Sequence, residues 1–173
     1  FDVLEDADGN PVRVIGVGRD ITERKKVEEQ EKQRREMLEN VIRLGKVIGK
    51  VTSLDRCLRE VHSCVQKDLG FERVGIFLYD REKNLVRGVC GTDTNGNLID
   101  NSWYVQPVTD DSTWKIVLSS KRIYKVEDYM RTYEPNQYES DMVGVKQHVT
   151  VSAWAGDTPV ALIAADNQLT GRV

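Results

Sequence analysis

The feature that most restricts the fold lies near the end of the chain. Two apolar segments, His148 to Ala155 and Pro159 to Ala165, are separated by a Gly156-Asp157 turn. A two-residue loop with glycine at its tip joins neighbouring strands and little else, so the segment reads as a tight antiparallel hairpin. A second pair stands earlier: Val74 to Tyr79, the turn Asp80 to Asn84, and a return strand from Leu85 to Thr92. The rhythm before both pairs is helical. Helices first and hairpins after, around a long irregular middle, predict an α+β domain on an antiparallel sheet with flanking helices.

Leu54, Leu58, Val61, Val65 and Leu69 share one face of a helix that Gly70 ends. Thr52 and Asp55 have the spacing of a capping box at its start. His62 on this helix reads as a partly exposed side chain. Before it, a helix of about 30 residues is expected from Thr22 to Val51, about 45 Å long. Residues 23 to 36 are a nearly unbroken polar run. Val27, Met37, Val41, Leu44, Ile48 and Val51 follow a heptad rhythm, which Gln30 and Arg34 interrupt. The stripe predicts a parallel homodimer through Met37, Val41, Leu44, Ile48 and Val51. Gly45 and Gly49 weaken the helix and permit a neighbour's close approach.

The chain opens with Phe1 to Leu4, turn formers from Glu5 to Pro11, and Val12 to Val17, which read as a short hairpin. Asp20 or Thr22 caps the following helix. In the middle, Asp93 to Asn97 reads as a loop and Trp103 to Val105 as a strand. Asp111-Ser112 caps a short helix carrying Trp114, Ile116, Val117 and Leu118. Arg122 to Val126 is a short strand. Residues 127 to 147 are polar and loop-like, with a short helix near Ser140 to Val145.

Several functions are disfavoured. A net charge of -3 with mixed signs offers no electrostatic case for nucleic acid or an anionic membrane. No apolar run reaches the roughly 20 residues of a bilayer span, so no direct membrane contact is expected. Gly16 and Gly18 begin a dinucleotide-type turn, but Ile21 stands where the third glycine belongs. Cys57, Cys64 and Cys90 form neither a CxxC pair nor a disulfide framework, which suggests a reducing, cytoplasmic setting. No metal-ligand cluster is evident.

The string DADGNPVRVIGVGRDITERKKVEE resembles the closing hairpin of a PAS domain with its DIT motif. The resemblance implies that residues 1–21 end a truncated PAS domain, and that Asp20, Ile21 and Thr22 couple its sheet to a signalling helix at 22–51. Residues 38–173 resemble a GAF domain without its last helix. The strings that carry this are LGFERVGIFLYDREKNLVRGVCGTD at 69–93, STWKIVLSSKRIYKVEDY at 112–129 and TPVALIAADN at 158–167, in that order. A GAF domain implies a pocket between the sheet and the irregular middle, with Phe77, Trp103, Trp114, Tyr129 and His148 as candidate ligand-binding residues. The NKFDE string of cyclic-nucleotide-binding members is absent, and only Asp166-Asn167 stand in that region. No cofactor is required: a bilin lacks an adjacent Cys-His pair, and a haem would have His148 alone.

These resemblances imply a sensory or regulatory module of a multidomain bacterial-type signalling protein, a sensor histidine kinase or a cyclic-dinucleotide enzyme. The expected fragment is not itself an enzyme; it binds a small ligand, dimerises, or does both. The alternative is an enzyme. Gly88-Val89-Cys90-Gly91 is similar to a string in GAF-fold free-methionine sulfoxide reductases, which would make Cys90 the attacking thiol. A resolving thiol is needed as well, and no cysteine follows Cys90.

Overall fold

The structure, a computed structural model, describes residues 2–15, 19–132 and 142–170. It divides into two compact units, residues 1–38 and 39–173.

In the first unit, β1 (Asp2–Glu5) and β2 (Pro11–Ile15) form the expected antiparallel hairpin. Its turn is built on one carboxylate. Asp6 Oδ1 accepts from the backbone N–H of Asp8 at 3.0 Å and of Asn10 at 2.9 Å, and Gly9 takes a φ of +80°. Residues 16 and 17 of the expected second strand lie outside the described residues. The helix α1 (Thr22–Ile48) follows. Asp20, rather than Thr22, supplies the capping oxygen, accepting from Thr22 N at 2.8 Å. The helix ends three residues before Val51, as Gly49 and Lys50 close a turn after Ile48.

In the second unit, α2 (Leu54–Ser63) starts on Ser53, whose hydroxyl accepts from Arg56 N at 3.4 Å. The expected Thr52–Asp55 capping box does not form: Asp55 instead pairs with Arg59 one turn on, at 3.0 Å. Leu58 is buried and Val61 and Val65 pack beside it, but Leu54 stands 62% exposed and leaves the apolar face. The helix widens into a single π-helical turn, Cys64–Asp68, and Gly70 stops it with a φ of +77°. His62 is buried, contrary to the sequence expectation. Its Nε2 lies 2.9 Å from the hydroxyl of Thr92, a partner thirty residues away on the sheet.

The sheet runs β5-β4-β3-β9-β8-β7, with β6 also on β4, and its pairings are antiparallel. Its strands are β3 (Arg73–Asp80), β4 (Leu85–Thr92), β5 (Leu98–Asp100), β6 (Val105–Pro107), β7 (Tyr124–Val126), β8 (His148–Ala155) and β9 (Thr158–Asp166). Both hairpins stand where the sequence put them. The expected strand at Trp103 begins only at Val105, and β5 was not foreseen. The loop before β5 repeats the first hairpin's device: Asp93 Oδ1 accepts from Asn95 N and Asn97 N, both at 2.8 Å, and Gly96 takes a φ of +84°. Two short helices, α3 (Thr113–Leu118) and α4 (Tyr129–Thr132), fill the middle. Residues 140 and 141 of the helix expected at 140–145 lie outside the described residues. Its remainder is one turn, closed by Val145 N on Met142 O at 3.2 Å.

Strand alternation gives the sheet two buried faces. Val74, Ile76, Cys90 and Ala165 face α2 with Leu58. Phe77, Val86, Leu162 and Ala164 face the other way, towards Val108, Val117 and Leu118. Each large apolar side chain buried in this way contributes about 1.5–3 kcal/mol. A bulge between Ile76 and Phe77 sets Phe77 opposite Gly88, leaving Val89 and Cys90 both beside the α2 core.

Gly88 is where the segment before β6 crosses the sheet. A Cβ there would sit 2.2 Å from the carbonyl oxygen of Asn101, whereas at Gly91 the nearest atom would be 3.6 Å away. Gly88→Ala is therefore expected to cost about 1–3 kcal/mol in urea unfolding, as overpacking against rigid backbone does. Gly91→Ala should cost distinctly less.

Candidate functional site

The second face carries an aromatic cluster. Phe77 rises from β3, and its ring folds back over Gly75, where a Cβ would lie 2.7 Å from the ring. Ser112 caps α3 by accepting from Lys115 N at 3.3 Å, which fixes the first turn and with it Trp114. The Trp114 ring lies 5.0 Å from that of Phe77, and Tyr104 stands 5.2 Å from Phe77, edge to face. Trp114 Nε1 donates to Tyr104 Oη at 3.2 Å and to Gln106 Oε1 at 3.1 Å. Trp103 contacts Tyr104 at 6.0 Å and remains 68% exposed. From the other side, Ser152 Oγ lies within 3.1 Å of the carbonyls of Val117 and Ser120, tying α3 to β8.

A polar group occupies the end of the same face, four residues along β3, about 13 Å away. Arg73, Asp166 and His148 stand side by side on β3, β9 and β8, paired in register. Arg73 grips Asp166 with both arms, Nε–Oδ1 at 2.9 Å and Nη2–Oδ2 at 2.7 Å, and both side chains are buried. His148 Nε2 lies 2.9 Å from Thr150 Oγ1, and the Tyr129 ring of α4 packs edge-on against the imidazole at 5.5 Å. His148 Nδ1 is buried with no hydrogen-bond partner among the described residues. Burial pushes the imidazole below its ordinary range; Asp166 pulls it up and Arg73 pushes it down.

The five residues expected to form the pocket thus separate. Phe77 and Trp114 touch, Tyr129 and His148 touch in a second group, and Trp103 stands at the margin. Sequence reasoning missed Tyr104, Gln106, Arg73 and Asp166. The signal for the last pair was present: Arg73 opens one apolar strand run and Asp166 closes another. Cys90 lies on the opposite face, fully buried, with its thiol pushed up by burial. Among the described residues, no group of three or more candidate ligands could hold a metal ion, and no helix is long and apolar enough to cross a membrane.

The expected helix stripe also divides. Met37 and Val41 are exposed, while Leu44, Ile48 and Val51 are half-buried. Leu44, Arg43 and Val47 line a crevice with Glu60, Ser63, Cys64 and Asp68 of α2 and the π-helical turn. Arg43 pairs with Asp68, and Asn40 Nδ2 donates to the Asp68 carbonyl at 3.2 Å. The heptad column through Leu44 therefore has an intramolecular neighbour. At the other end of α1, Asp20 caps and Ile21 is 46% exposed.

Trp114→Ala should lose about 3 kcal/mol of stability in chemical denaturation, as large-to-small changes against a core do. Trp103→Ala should leave the unfolding midpoint nearly unchanged. Arg73→Leu strands the buried Asp166 carboxylate and should cost about 3–5 kcal/mol, most of it recovered in Arg73→Met with Asp166→Leu. His148 has a folded pKa below the unfolded value of about 6.5, so the unfolded chain binds more protons on acidification. Its contribution is complete above about pH 6.5 and is lost as pH falls from there towards the folded pKa. Thermal unfolding across pH 7 to 5 should show this slope, and His148→Phe should reduce it.

A scan against protein-family sequence models and a search of the curated proteins each find no match. Comparison with solved structures does find neighbours. The GAF domain of an Acinetobacter phosphoenolpyruvate-protein phosphotransferase superposes with a TM-score of 0.65 at 12% identity, covering 79% of this chain and 80% of that one. Residues 122 to 287 of a methyl-accepting chemotaxis protein give 0.60 at 19% identity, covering 75% and 81%. A free methionine-R-sulfoxide reductase from Neisseria meningitidis, in complex with its substrate, gives 0.59 at 12% identity, covering 90% and 80%. The chain has a GAF-like α+β fold.

Proposed function

We propose that the chain is a sensory or regulatory module of a larger signalling protein, a sensor histidine kinase or a cyclic-dinucleotide enzyme in the cytoplasm. In this reading the GAF-like domain binds a small ligand on the aromatic face of its sheet. The observation that carries it is the cluster of Phe77, Tyr104 and Trp114, with Trp103 left exposed at its edge. Apolar walls with a few fixed polar tips are what small-ligand sites provide, and here Tyr104 Oη, Gln106 Oε1 and Trp114 Nε1 are those tips. Structural neighbours from chemotaxis and phosphotransferase proteins support the signalling setting. The hairpin before α1 belongs to the end of a PAS domain, whose Asp20, Ile21 and Thr22 pass a signal into α1. The module acts as a homodimer through that helix.

The second reading is a reductase acting on methionine sulfoxide with Cys90 as its thiol, and the Neisseria neighbour favours it. The thiolate is the attacking species; burial pushes the pKa of Cys90 up, against thiolate formation, on the face of the sheet away from the aromatic cluster.

Native mass spectrometry with a visible absorption spectrum of the purified chain tests the first reading. A retained small-molecule mass, lost in Trp103→Ala while the fold survives, is the expected result. A bare polypeptide mass, unchanged on adding cyclic nucleotides or free methionine sulfoxide, would contradict ligand binding. Turnover of methionine sulfoxide with a thiol reductant, abolished by Cys90→Ser, would establish the second reading instead.

A further inference from the structure

One turn of the sheet domain is fastened by a group that an oxidant can change. Residues 142–146 lead into β8 through a turn closed by Val145 N on Met142 O at 3.2 Å, with Gly144 at a φ of +89°. Val145 is fully buried. The carbonyl of Val143 accepts from Gln168 Nε2, and the carbonyl of Lys146 accepts from Tyr129 N at 2.8 Å. A further tie is made by sulfur: Arg73 Nη2 donates to Met142 Sδ at 3.5 Å. That guanidinium is buried and grips Asp166, so Met142 fastens the turn to the charged centre of the sheet. Met142 is only partly buried and Val143 beside it is 54% exposed, which leaves the sulfur within reach of a small reagent.

We propose that Met142 is a site of reversible oxidation, and that its sulfoxide releases this turn. A thioether sulfur carries two lone pairs. One faces the Arg73 N–H, and the other attacks a small peroxide, of which hydrogen peroxide is the simplest. The S–O bond forms as the O–O bond breaks. Sulfur gives up two electrons, and the departing hydroxide takes the proton of the transferred oxygen and leaves as water. The product is methionine sulfoxide, a polar and chiral side chain. Before oxidation the sulfur is a weak acceptor for the guanidinium. Afterwards it is the positive end of an S–O dipole facing a buried cation, so attraction becomes repulsion. Because Arg73 covers one lone pair, oxygen arrives at the other and one sulfoxide epimer predominates. Arg73 keeps Asp166 throughout, so β3 and β9 hold their register while the turn lets go.

The test treats the folded chain with hydrogen peroxide until Met37, which is 53% exposed, is fully oxidised. Tryptic peptide 132–146, whose sole methionine is Met142, reports the modification, and amide exchange of the intact chain reports the turn. The expected result is one oxygen added to that peptide, removed almost completely by one of the two stereospecific methionine sulfoxide reductases and hardly by the other. Exchange at Val145 and Tyr129 should rise about tenfold, as loss of a hydrogen bond to a charged group implies, with 73–80 and 158–166 unchanged. Met142→Leu treated in the same way should show no rise, which separates this sulfur from Met37 and Met130. An unmodified peptide at that dose, equal reduction by the two enzymes, unchanged exchange after oxidation, or the same rise in Met142→Leu would each overturn the proposal.

Discussion

The structure depends on one strand being buried on both sides. In β3, Val74 and Ile76 turn towards α2, while Phe77 turns towards α3 and the segment before β6. A strand in that position must pair on both edges, because an unpaired backbone amide in a dry core is expensive. Its partners β4 and β9 supply those bonds. Everything else is placed relative to this centre: α2 covers one face, and the aromatic layer covers the other. The bulge beside Phe77 is part of the same arrangement, because it places the ring opposite Gly88 and lets the chain before β6 cross closely above β4.

The aromatic face then has two chemical halves. At one end the rings of Phe77, Tyr104 and Trp114 meet, with their polar atoms satisfied by one another and by Gln106. At the other, Arg73 and Asp166 pair across adjacent strands, and burial pushes the pKa of His148 beside them down. A buried ion pair contributes little net stability compared with a well-packed apolar pair, but it strongly penalises any register that separates its members. Arg73 opposite Asp166 thus specifies how β3 and β9 align, and that alignment sets Phe77 against Leu162 in the core.

What was legible in the sequence was whatever local chemistry decides. The hairpins at Tyr79–Leu85 and Ala155–Thr158 follow from their turn residues, and the α2 stop follows from Gly70, which takes a positive φ. The α+β class followed from those elements. What escaped was decided by partners distant in sequence. His62 is buried because Thr92 offers a hydroxyl from β4. Leu44 is half-buried beside α2, where Asp68 holds Asn40 and Arg43. β5 and α4 are three and four residues long, too short for a period to show. Of the five residues expected to line one pocket, Phe77 touches Trp114 and Tyr129 touches His148. Their separation into two groups was not legible, because it depends on where α3 and α4 land.

β3 and β9 are paired on both edges and form the floor, and the chain from β5 to α3 is the layer beside it. Many residues of that layer are exposed, including Leu98, Trp103, Val105 and Ile116, and segments with few buried contacts open at low free energy. Amide hydrogen exchange measures the difference directly. The account predicts that amides at 98–118 exchange markedly faster than those at 73–80 and 158–166; equal protection across the three segments would contradict it.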